Sequence, residues 1–208
     1  MIAIVDYGLG NLRSISAAFE RLDVPHLCTS DKKKLEQADG LILPGVGAFP
    51  DGMRNLKKLN LINPLNELVL EKQKPILGIC LGFQLMASAG EEFEDTPGLG
   101  WFDAKVVRLN GSGGDIRIPH VGWNDCIQLK ESPIFQDIPT SSLFYYTHSF
   151  HMLCNDKNDI IANSDHGQSF TAAIQKGMIF GTQFHPEKSQ LHGVKLLQNF
   201  VEKVVSTC

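Results

Sequence analysis

The chain has 208 residues, of which 43% are apolar and 20% are charged, and its net charge is −4. This length fits one globular domain over residues 1–208, because a single core rarely grows beyond about 250 residues. The charge balance excludes a basic surface for nucleic acid, and no apolar run approaches the ~20 residues that span a bilayer. We therefore expect a globular protein with neither a nucleic-acid partner nor a membrane partner.

The cysteines indicate the redox environment. They are five in number, scattered, and without a Cys-x-x-Cys pair: Cys28, Cys80, Cys126, Cys154 and Cys208. An odd, scattered set argues against a disulfide framework and against a structural zinc site. The N-terminus lacks the basic region of a signal peptide and instead resembles a buried first strand. We expect a cytoplasmic protein without a structural metal.

Strand and helix signals alternate through the first half of the chain. Short apolar runs predict strands at residues 2–5, 26–29, 41–43 and 74–79. Apolar residues at helical spacing, with Asn11 and Asp31 as N-caps, predict helices at residues 11–22, 32–37 and 60–72. This alternation implies a parallel sheet that is covered by helices on both faces. Ligands of such sheets bind beyond the carboxyl ends of the strands.

The second half changes character. Its apolar runs predict strands at residues 104–109, 124–129, 143–147, 160–164, 171–175 and 179–184. Turns separate them, including one at residues 110–114, and a final helix is predicted at residues 191–205. Successive strands without intervening helices indicate antiparallel pairing. The predicted fold is α/β, with a central, mostly parallel sheet flanked by helices and an antiparallel extension in the second half.

Two further patterns are poor matches to a cofactor site or a metal site. Gly8 and Gly10 follow the first strand as in a dinucleotide-binding turn, but Arg13 occupies the place of the third glycine. His148 and His151 lie three residues apart on a strand-like run, so their side chains would point to opposite faces and chelate a metal badly. We expect no cofactor and no bound metal.

The run Gly-Ile-Cys-Leu-Gly-Phe-Gln at residues 78–84 predicts a catalytic nucleophile. It joins an apolar strand to a helix-like stretch at residues 81–89, which is the layout of a nucleophile elbow centred on Cys80. The flanking glycines tolerate a crowded, strained turn. The helix N-terminus would favour the Cys80 thiolate over the thiol. A buried structural cysteine, the alternative, needs none of these features.

His185 and Glu187 follow another predicted strand at its carboxyl end. A thiol nucleophile needs a base that accepts its proton and later protonates the leaving group, and the base is usually oriented by a carboxylate. Alternate residues at the end of an extended strand share a face, so Glu187 can reach His185. The pattern favours a Cys80–His185–Glu187 triad over a core histidine.

Two segments predict an oxyanion hole. Acyl transfer needs backbone N–H donors directed at a tetrahedral oxyanion. One donor is expected from Leu81, directly after the nucleophile. A second is expected from the loop that contains Gly45, Val46 and Gly47, where glycine permits a peptide to flip. A simple turn is the alternative interpretation of this loop.

Together these three motifs resemble the class I (triad) glutamine amidotransferases. The runs at residues 6–11, 119–124 and 185–189 narrow the resemblance to the family of glutaminase subunits of imidazole glycerol phosphate synthase. It covers the whole chain and implies the flavodoxin-like class I glutamine amidotransferase fold. The segment 144–151 departs from that family's pattern, as does Val121, which stands where methionine is usual.

The resemblance also implies a reaction in which glutamine and water give glutamate and ammonia through a Cys80 thioester. Gln84 and Glu92 would contact the amino-acid end of glutamine. The backbone near Gly47 would line the same pocket. So would three residues that follow one another in the second half: Thr147, His148 and Ser149.

In the family, ammonia passes through a tunnel to a (β/α)8-barrel cyclase subunit, which makes imidazole glycerol phosphate and aminoimidazole carboxamide ribotide in histidine biosynthesis. Asn11, Trp123 and Lys188 match positions at the docking face of this heterodimer. Three alternatives stay open. They are a paralogous subunit that feeds the amination of surface-polysaccharide sugars, a stand-alone cysteine hydrolase, and a non-catalytic subunit that kept the fold.

Overall fold

The structure is a computed structural model that describes residues 1–111 and 116–207. The turn predicted at residues 110–114 lies partly outside the described residues, and Cys208 lies outside them. Within the described ranges, no helix is both long enough and apolar enough to cross a membrane.

In that part of the chain, the strands are β1 (Ile2–Val5), β2 (His26–Thr29), β3 (Gly40–Leu43), β4 (Ile76–Ile79), β5 (Ala87–Gly90), β6 (Thr96–Pro97), β7 (Phe102–Arg108), β8 (His120–Gln128), β9 (Ser141–His148), β10 (Phe150–Cys154), β11 (Ile160–Asp165), β12 (Ser169–Lys176) and β13 (Ile179–Thr182). The α-helices are α1 (Leu12–Arg21), α2 (Lys32–Gln37), α3 (Phe49–Lys58), α4 (Ile62–Asn66), α5 (Leu81–Gln84) and α6 (Gln190–Asn199). Short π-helical segments (Glu67–Glu71, Phe200–Val204) and 3₁₀ turns (Pro133–Phe135, Lys157–Asp159, Pro186–Lys188, Val205–Thr207) complete the described elements.

The described strands form two sheets. The larger has the order β2-β1-β3-β4-β13-β12-β11-β8-β9, and the smaller has the order β10-β7-β5-β6. In the larger sheet, neighbours from β2 to β13 pair in parallel, and neighbours from β13 to β9 pair antiparallel. The predicted parallel sheet with an antiparallel extension is confirmed.

Strand register brings the predicted site segments to one edge of the larger sheet. Gly78 in β4 pairs with Leu43 of β3 on one side and with Gly181 of β13 on the other. Because these three strands are parallel, the segments that follow Leu43, Ile79 and Thr182 emerge at the same edge. This is the edge at which parallel sheets bind ligands.

Helices and loops cover the parallel strands on both faces. All residues of β1, β3, β4 and β13 are buried, as expected for a parallel sheet between two layers. Neighbouring residues divide between two apolar clusters, with Val5 and Leu43 in one and Ile4 and Ile42 in the other. Helix α1 contributes Phe19 to the second cluster.

Three predicted helices differ from the structure. The helix predicted at residues 81–89 ends at Gln84, because the chain then enters β5 and pairs with β7. The helix predicted at residues 60–72 divides into α4 and a π-helical segment. The final predicted helix is α-helical only to Asn199 and continues as π-helical and 3₁₀ turns.

The sequence pattern does not predict α3 or β10. Pro50 and Gly52 disfavour a helix by residue type, but Pro50 lies in the first turn of α3, where its missing N–H is not needed. Gly52 lets α3 approach the residue after α5, since a Cβ there would lie 2.9 Å from Leu85 Cδ2. Strand β10 pairs with β7 along its whole length, a long-range contact that its short sequence does not reveal.

Candidate active site

Cys80 occupies a strained turn between β4 and α5. Its φ is +54° and its ψ is −108°, values that residues other than glycine rarely adopt. The Cys80 N–H donates to the Thr182 carbonyl of β13 at 2.8 Å, which ties the turn to the sheet. A Cβ at Gly82 would lie 1.8 Å from the Leu43 carbonyl oxygen, so this turn requires glycine. The geometry is that of a nucleophile elbow.

His185 and Glu187 are joined by a hydrogen bond. The distance from His185 Nδ1 to Glu187 Oε1 is 2.8 Å, and both side chains are almost fully buried. The 3₁₀ turn Pro186–Lys188 brings the carboxylate to the ring, whereas the sequence pattern predicts an extended strand end. His185 Nε2 is buried without a hydrogen-bond partner among the described residues. This nitrogen is therefore available to a reacting group.

Electrostatic interactions couple His185 to Cys80. Burial alone would lower the pKa of His185, but the charge of a Cys80 thiolate and the bonded Glu187 carboxylate together raise it well above its usual range. A protonated His185 can donate a proton to the leaving group in an acyl transfer to a thiol nucleophile.

Gln183 is a residue of the site that the sequence analysis missed. Its side chain is fully buried, its Nε2 donates to Cys80 Sγ at 3.8 Å, and its Oε1 accepts from Gln84 Nε2 at 3.0 Å. Cys80 Sγ also lies 3.9 Å from the Thr147 carbonyl oxygen. The sequence feature that could have identified Gln183 is its position, two residues before the candidate base His185 and near the end of a largely apolar strand.

The nucleophile and the predicted substrate-binding residues line one cavity of about 350 Å³. Its lining consists of Val46, Gly47, Cys80, Leu81, Gln84, Glu92, Pro119, Thr147, His148, Ser149, Phe150 and His185. A larger cleft of about 1070 Å³ lies beside α3 and α4 and contains none of the predicted site residues. The smaller cavity, which holds the nucleophile and the base, is therefore the candidate active site.

Gln84 and Glu92 are held by different partners in this cavity. Gln84 Nε2 donates to the Phe150 carbonyl at 2.8 Å as well as to Gln183. Glu92 Oε2 accepts from the Phe49 N–H at 2.8 Å, at the N-terminus of α3. Partial burial raises the pKa of Glu92, and this hydrogen bond opposes the rise.

The predicted oxyanion hole is not assembled in this structure. The Leu81 N–H donates to the Gly45 carbonyl at 3.3 Å, so the donor expected to meet an oxyanion already has a partner. Tyr7 holds the same loop, because its hydroxyl donates to the Pro44 carbonyl at 2.7 Å. Gly47 has a φ of +114°, a conformation that favours glycine and permits rearrangement. The donor role of the loop stays a prediction that requires the peptide after Gly45 to turn over.

Two of the three predicted docking residues meet at Tyr145. The rings of Trp123 and Tyr145 contact edge to face with centroids 6.0 Å apart, and Lys188 Nζ lies 5.7 Å from the Tyr145 centroid. Trp123 is 45% exposed and Val121 is 57% exposed, so β8 presents apolar groups to solvent. Asn11 instead caps α1 with its side chain and takes no part in this contact.

Metal ligands and disulfides are not features of the described residues. Across 1–111 and 116–207, no group of three histidine, cysteine or carboxylate side chains is arranged to hold a metal ion. His148 is hydrogen-bonded to His120, whereas His151 is hydrogen-bonded to Gln168. Four cysteines in these ranges have free thiols: Cys28, Cys80, Cys126 and Cys154.

Comparison with known folds agrees with this geometry. Residues 3–204 match the family described as "Glutamine amidotransferase class-I". A crystal structure of a glutamine amidotransferase superposes with a TM-score of 0.76 at 18% identity, over 99% of this chain and 100% of that chain. The structure of PurLQS from Thermotoga maritima superposes with a TM-score of 0.71 at 21% identity, over 97% of each chain. At these identities the likeness shows the shared fold.

Two relatives are closer in sequence. "Imidazole glycerol phosphate synthase subunit HisH 1" of Campylobacter jejuni is 46% identical over 201 residues, which cover 97% of this chain and 99% of that protein. "Imidazole glycerol phosphate synthase subunit HisH 2" of Pseudomonas aeruginosa is 43% identical over 204 residues, which cover 98% and 100%. The chain therefore belongs to the class-I glutamine amidotransferase family and, within it, to the HisH proteins.

Proposed function

We propose that this chain, acting as a single domain, is the glutaminase subunit of an imidazole glycerol phosphate synthase and supplies ammonia for histidine biosynthesis. One observation carries the proposal. The 2.8 Å hydrogen bond from His185 Nδ1 to Glu187 Oε1 leaves Nε2 without a partner, beside the cavity that Cys80 also lines. Identity to HisH subunits over nearly the full length supports the same function.

In the first half of the reaction, the Cys80 thiolate attacks the side-chain carbonyl carbon of glutamine. A C–S bond forms and the carbonyl π electrons move to oxygen, which gives a tetrahedral oxyanion. The His185 imidazolium then donates its Nε2 proton to the amide nitrogen, the C–N bond breaks, and ammonia leaves. The γ-glutamyl group is now a thioester on Cys80.

In the second half, water replaces ammonia at the same position. His185 Nε2 accepts a proton from the water as its oxygen attacks the thioester carbon. Collapse of the second tetrahedral oxyanion breaks the C–S bond and restores the thiolate–imidazolium pair. The released γ-carboxylic acid loses its proton to solvent and becomes glutamate. Glu187 holds the imidazole in one orientation through both steps and stabilises its charged form.

The amino-acid end of glutamine would contact Gln84 and Glu92. Both N–H bonds of the Gln84 amide are engaged, with the Phe150 carbonyl and with Gln183, so its oxygen is the atom left for the substrate. That oxygen accepts hydrogen bonds but donates none. Glu92 also offers carboxylate oxygens. Both groups therefore favour the α-ammonium group of glutamine.

Because the Leu81 N–H already has a partner, we infer that docking of the cyclase subunit activates the glutaminase site. While the Leu81 N–H is bonded to the Gly45 carbonyl, a developing oxyanion lacks that donor, so the isolated subunit should turn over slowly. A (β/α)8-barrel cyclase subunit that docks at Trp123 and Lys188 would favour the loop conformation in which an N–H faces the cavity. Glutamine would then be hydrolysed where its ammonia can be consumed.

Two further assignments belong to this proposal. Free thiols at all four cysteines of the described ranges favour a reducing, cytoplasmic location. The relatives are numbered HisH 1 and HisH 2, which is consistent with more than one such subunit in an organism and leaves one second candidate function. It is a paralogous glutaminase whose partner aminates a surface-polysaccharide sugar, with the same chemistry at Cys80.

The test measures glutamate released by the chain alone and by its complex with a cyclase subunit, together with formation of aminoimidazole carboxamide ribotide. We expect faster glutamate release in the complex and product formation from glutamine. Glutamate release without transfer to the cyclase would favour the paralogous partner. No glutamate under either condition would overturn the proposal, as would labelling by a glutamine-like diazo-ketone at any residue other than Cys80.

A further inference from the structure

A chain of hydrogen bonds joins β8, the strand that carries the docking surface, to the glutamine cavity. Asn124 Nδ2 lies 3.2 Å from His120 Nε2. His120 Nδ1 lies 3.0 Å from His148 Nε2. His148 Nδ1 lies 2.8 Å from the Phe150 carbonyl oxygen, which also accepts from Gln84 Nε2 at 2.8 Å. The chain thus ends on the amide that is expected to hold the substrate.

The direction of these bonds is determined from both ends. The Phe150 carbonyl oxygen only accepts, so His148 carries its proton on Nδ1 and presents a lone pair at Nε2. Asn124 Nδ2 also donates to the Asp165 carbonyl at 2.6 Å, which identifies it as the amide nitrogen, so His120 Nε2 accepts. A neutral His120 then carries its proton on Nδ1 and donates it to His148. Every bond is made only when both rings are neutral Nδ1–H tautomers.

The surroundings of the two rings favour this state. His120 is 4% exposed and His148 is 6% exposed. Burial lowers the pKa of His120 to about 4 and that of His148 to about 3, so both are neutral at neutral pH. The His120 ring stacks on Tyr146 at 4.9 Å and on His166 at 4.1 Å between centroids. Among the described residues, His120 is the one hydrogen-bond donor to His148 Nε2.

We propose that His120 is a positioning residue for glutamine binding, because its Nδ1–H bond holds His148 and, through the shared Phe150 carbonyl, keeps Gln84 oriented toward the substrate. The inference rests on the proposed glutaminase function. Without this bond, His148 Nε2 is a buried acceptor that has lost its donor, which favours displacement of the ring. The displacement acts directly on the substrate-binding residues, whereas it reaches Cys80 only indirectly, through the bonds from Gln84 to Gln183 and from Gln183 to Cys80. The KM for glutamine should therefore change more than kcat.

Two substitutions separate hydrogen bonding from packing. His120→Phe keeps an aromatic ring against Tyr146 and His166 but has no donor. His120→Asn removes the ring but places an amide N–H near the former Nδ1. In the complex with the cyclase subunit, we expect H120F to raise the KM for glutamine ~5–10-fold with kcat within ~2-fold, and H120N to return KM to within ~2-fold of the parent. His26→Gln, on β2, is the control and should change neither constant.

A second measurement does not depend on activity. Nitrogen-15 spectra of the histidine rings in the full chain should show Nδ1 protonated and Nε2 unprotonated for both His120 and His148 at neutral pH. An Nε2–H tautomer or an imidazolium at either ring would overturn the inference. So would an unchanged KM in H120F, or equal increases in H120F and H120N. If the parent chain released no glutamate while both rings showed the Nδ1–H form, the proposed function would fail and the hydrogen-bond chain would stand.

Discussion

The Leu81 N–H donates to the Gly45 carbonyl oxygen at 3.3 Å, and this bond excludes an assembled oxyanion hole. The donor that follows the nucleophile cannot serve the Gly45 carbonyl and a substrate oxyanion equally well. The base and its carboxylate are nevertheless already joined, at 2.8 Å between His185 and Glu187. The groups that transfer protons are therefore in place, but the N–H donors that would stabilise the oxyanion are not. Rotation of the peptide after Gly45 would free the Leu81 N–H, and a partner subunit could control this change.

Tyr7→Phe tests whether the Tyr7 hydroxyl holds the loop at residues 44–47 in the conformation in which the Gly45 carbonyl accepts from the Leu81 N–H. The variant loses the 2.7 Å bond from the Tyr7 hydroxyl to the Pro44 carbonyl, so the loop should leave this conformation more readily. We expect glutaminase activity without the partner to rise ~2–10-fold, the effect of about one hydrogen bond. The ratio of stimulated to unstimulated rates should fall by a similar factor. An unchanged unstimulated rate in a variant with the parent melting temperature would contradict this account.

Cys80→Ala tests the division of labour between the subunits. Loss of the nucleophile should lower glutaminase activity by at least ~10³-fold, because the triad acts as a unit. Synthesis by the cyclase from added ammonia should stay within ~2-fold of the parent complex, since the substitution leaves the docking surface unchanged. Cys28→Ala, at an exposed thiol, is the matched control and should retain both activities. Failure of ammonia to restore synthesis in the Cys80 variant would refute the assignment.

Features set by neighbouring residues could be predicted from the sequence. The elbow requires glycine on both sides of Cys80, and the pair His185 and Glu187 lies within three positions, so each pattern is complete in a short segment. The strands β1, β3 and β4 are short apolar runs with little ambiguity. Their parallel pairing follows from the alternation with helices.

Features set by long-range contacts could not be predicted. The Leu81–Gly45 bond depends on the orientation of one peptide, which residue types do not determine. The bond from Gln183 to Cys80 joins residues 103 positions apart, and the bond from Tyr7 to Pro44 joins residues 37 apart. In each case the partner is identified only once the strand order is known.

Glu187→Gln tests the electrostatic role of the carboxylate. The Glu187 carboxylate contributes to the raised pKa of His185, so its neutral replacement should lower that pKa. In the variant, His185 then loses its proton at a lower pH than in the parent. The alkaline limb of the kcat/KM profile should therefore move to lower pH. At neutral pH we expect a loss of ~10²-fold, smaller than that for the Cys80 variant, because orientation is the smaller contribution.

Glu67→Gln is the control for this profile, because Glu67 pairs with Lys72 on the surface and does not line the cavity that contains Cys80 and His185. Its alkaline limb should coincide with that of the parent. A parent-like profile in the Glu187 variant, or a shift to higher pH, would show that the carboxylate does not stabilise the imidazolium.

Trp123→Ala tests the docking surface. Trp123 is 45% exposed and contacts Tyr145, and large aromatic side chains often dominate binding energy at interfaces. We expect the Kd for the cyclase subunit to rise ~30-fold or more, the result of about 2 kcal/mol. The glutaminase rate of the isolated chain should stay the same. Leu153→Ala, an exposed apolar residue on β10, is the control. Equal losses of affinity in both variants would argue against a specific surface at Trp123.

Gly82→Ala tests how much stability depends on the close contact beneath the elbow. The added Cβ would lie 1.8 Å from the Leu43 carbonyl oxygen and 3.0 Å from the Pro44 carbonyl oxygen. Both atoms belong to the backbone and cannot yield as a side chain would, so β3 or the elbow must move. We expect the free energy of unfolding, measured by denaturant titration, to fall by at least ~3 kcal/mol, at the upper end for overpacking.

Gly111→Ala is the matched control for that measurement. Its nearest contact would be Ile118 Cδ1 at 3.3 Å, the flexible end of a side chain, and Gly111 is exposed. Its unfolding free energy should stay within ~0.5 kcal/mol of the parent. A Gly82 variant as stable as this control would mean that the backbone from Leu43 to Pro44 shifts at little cost. The loop that holds Gly45 against Leu81 would then be far more mobile than its hydrogen bonds imply.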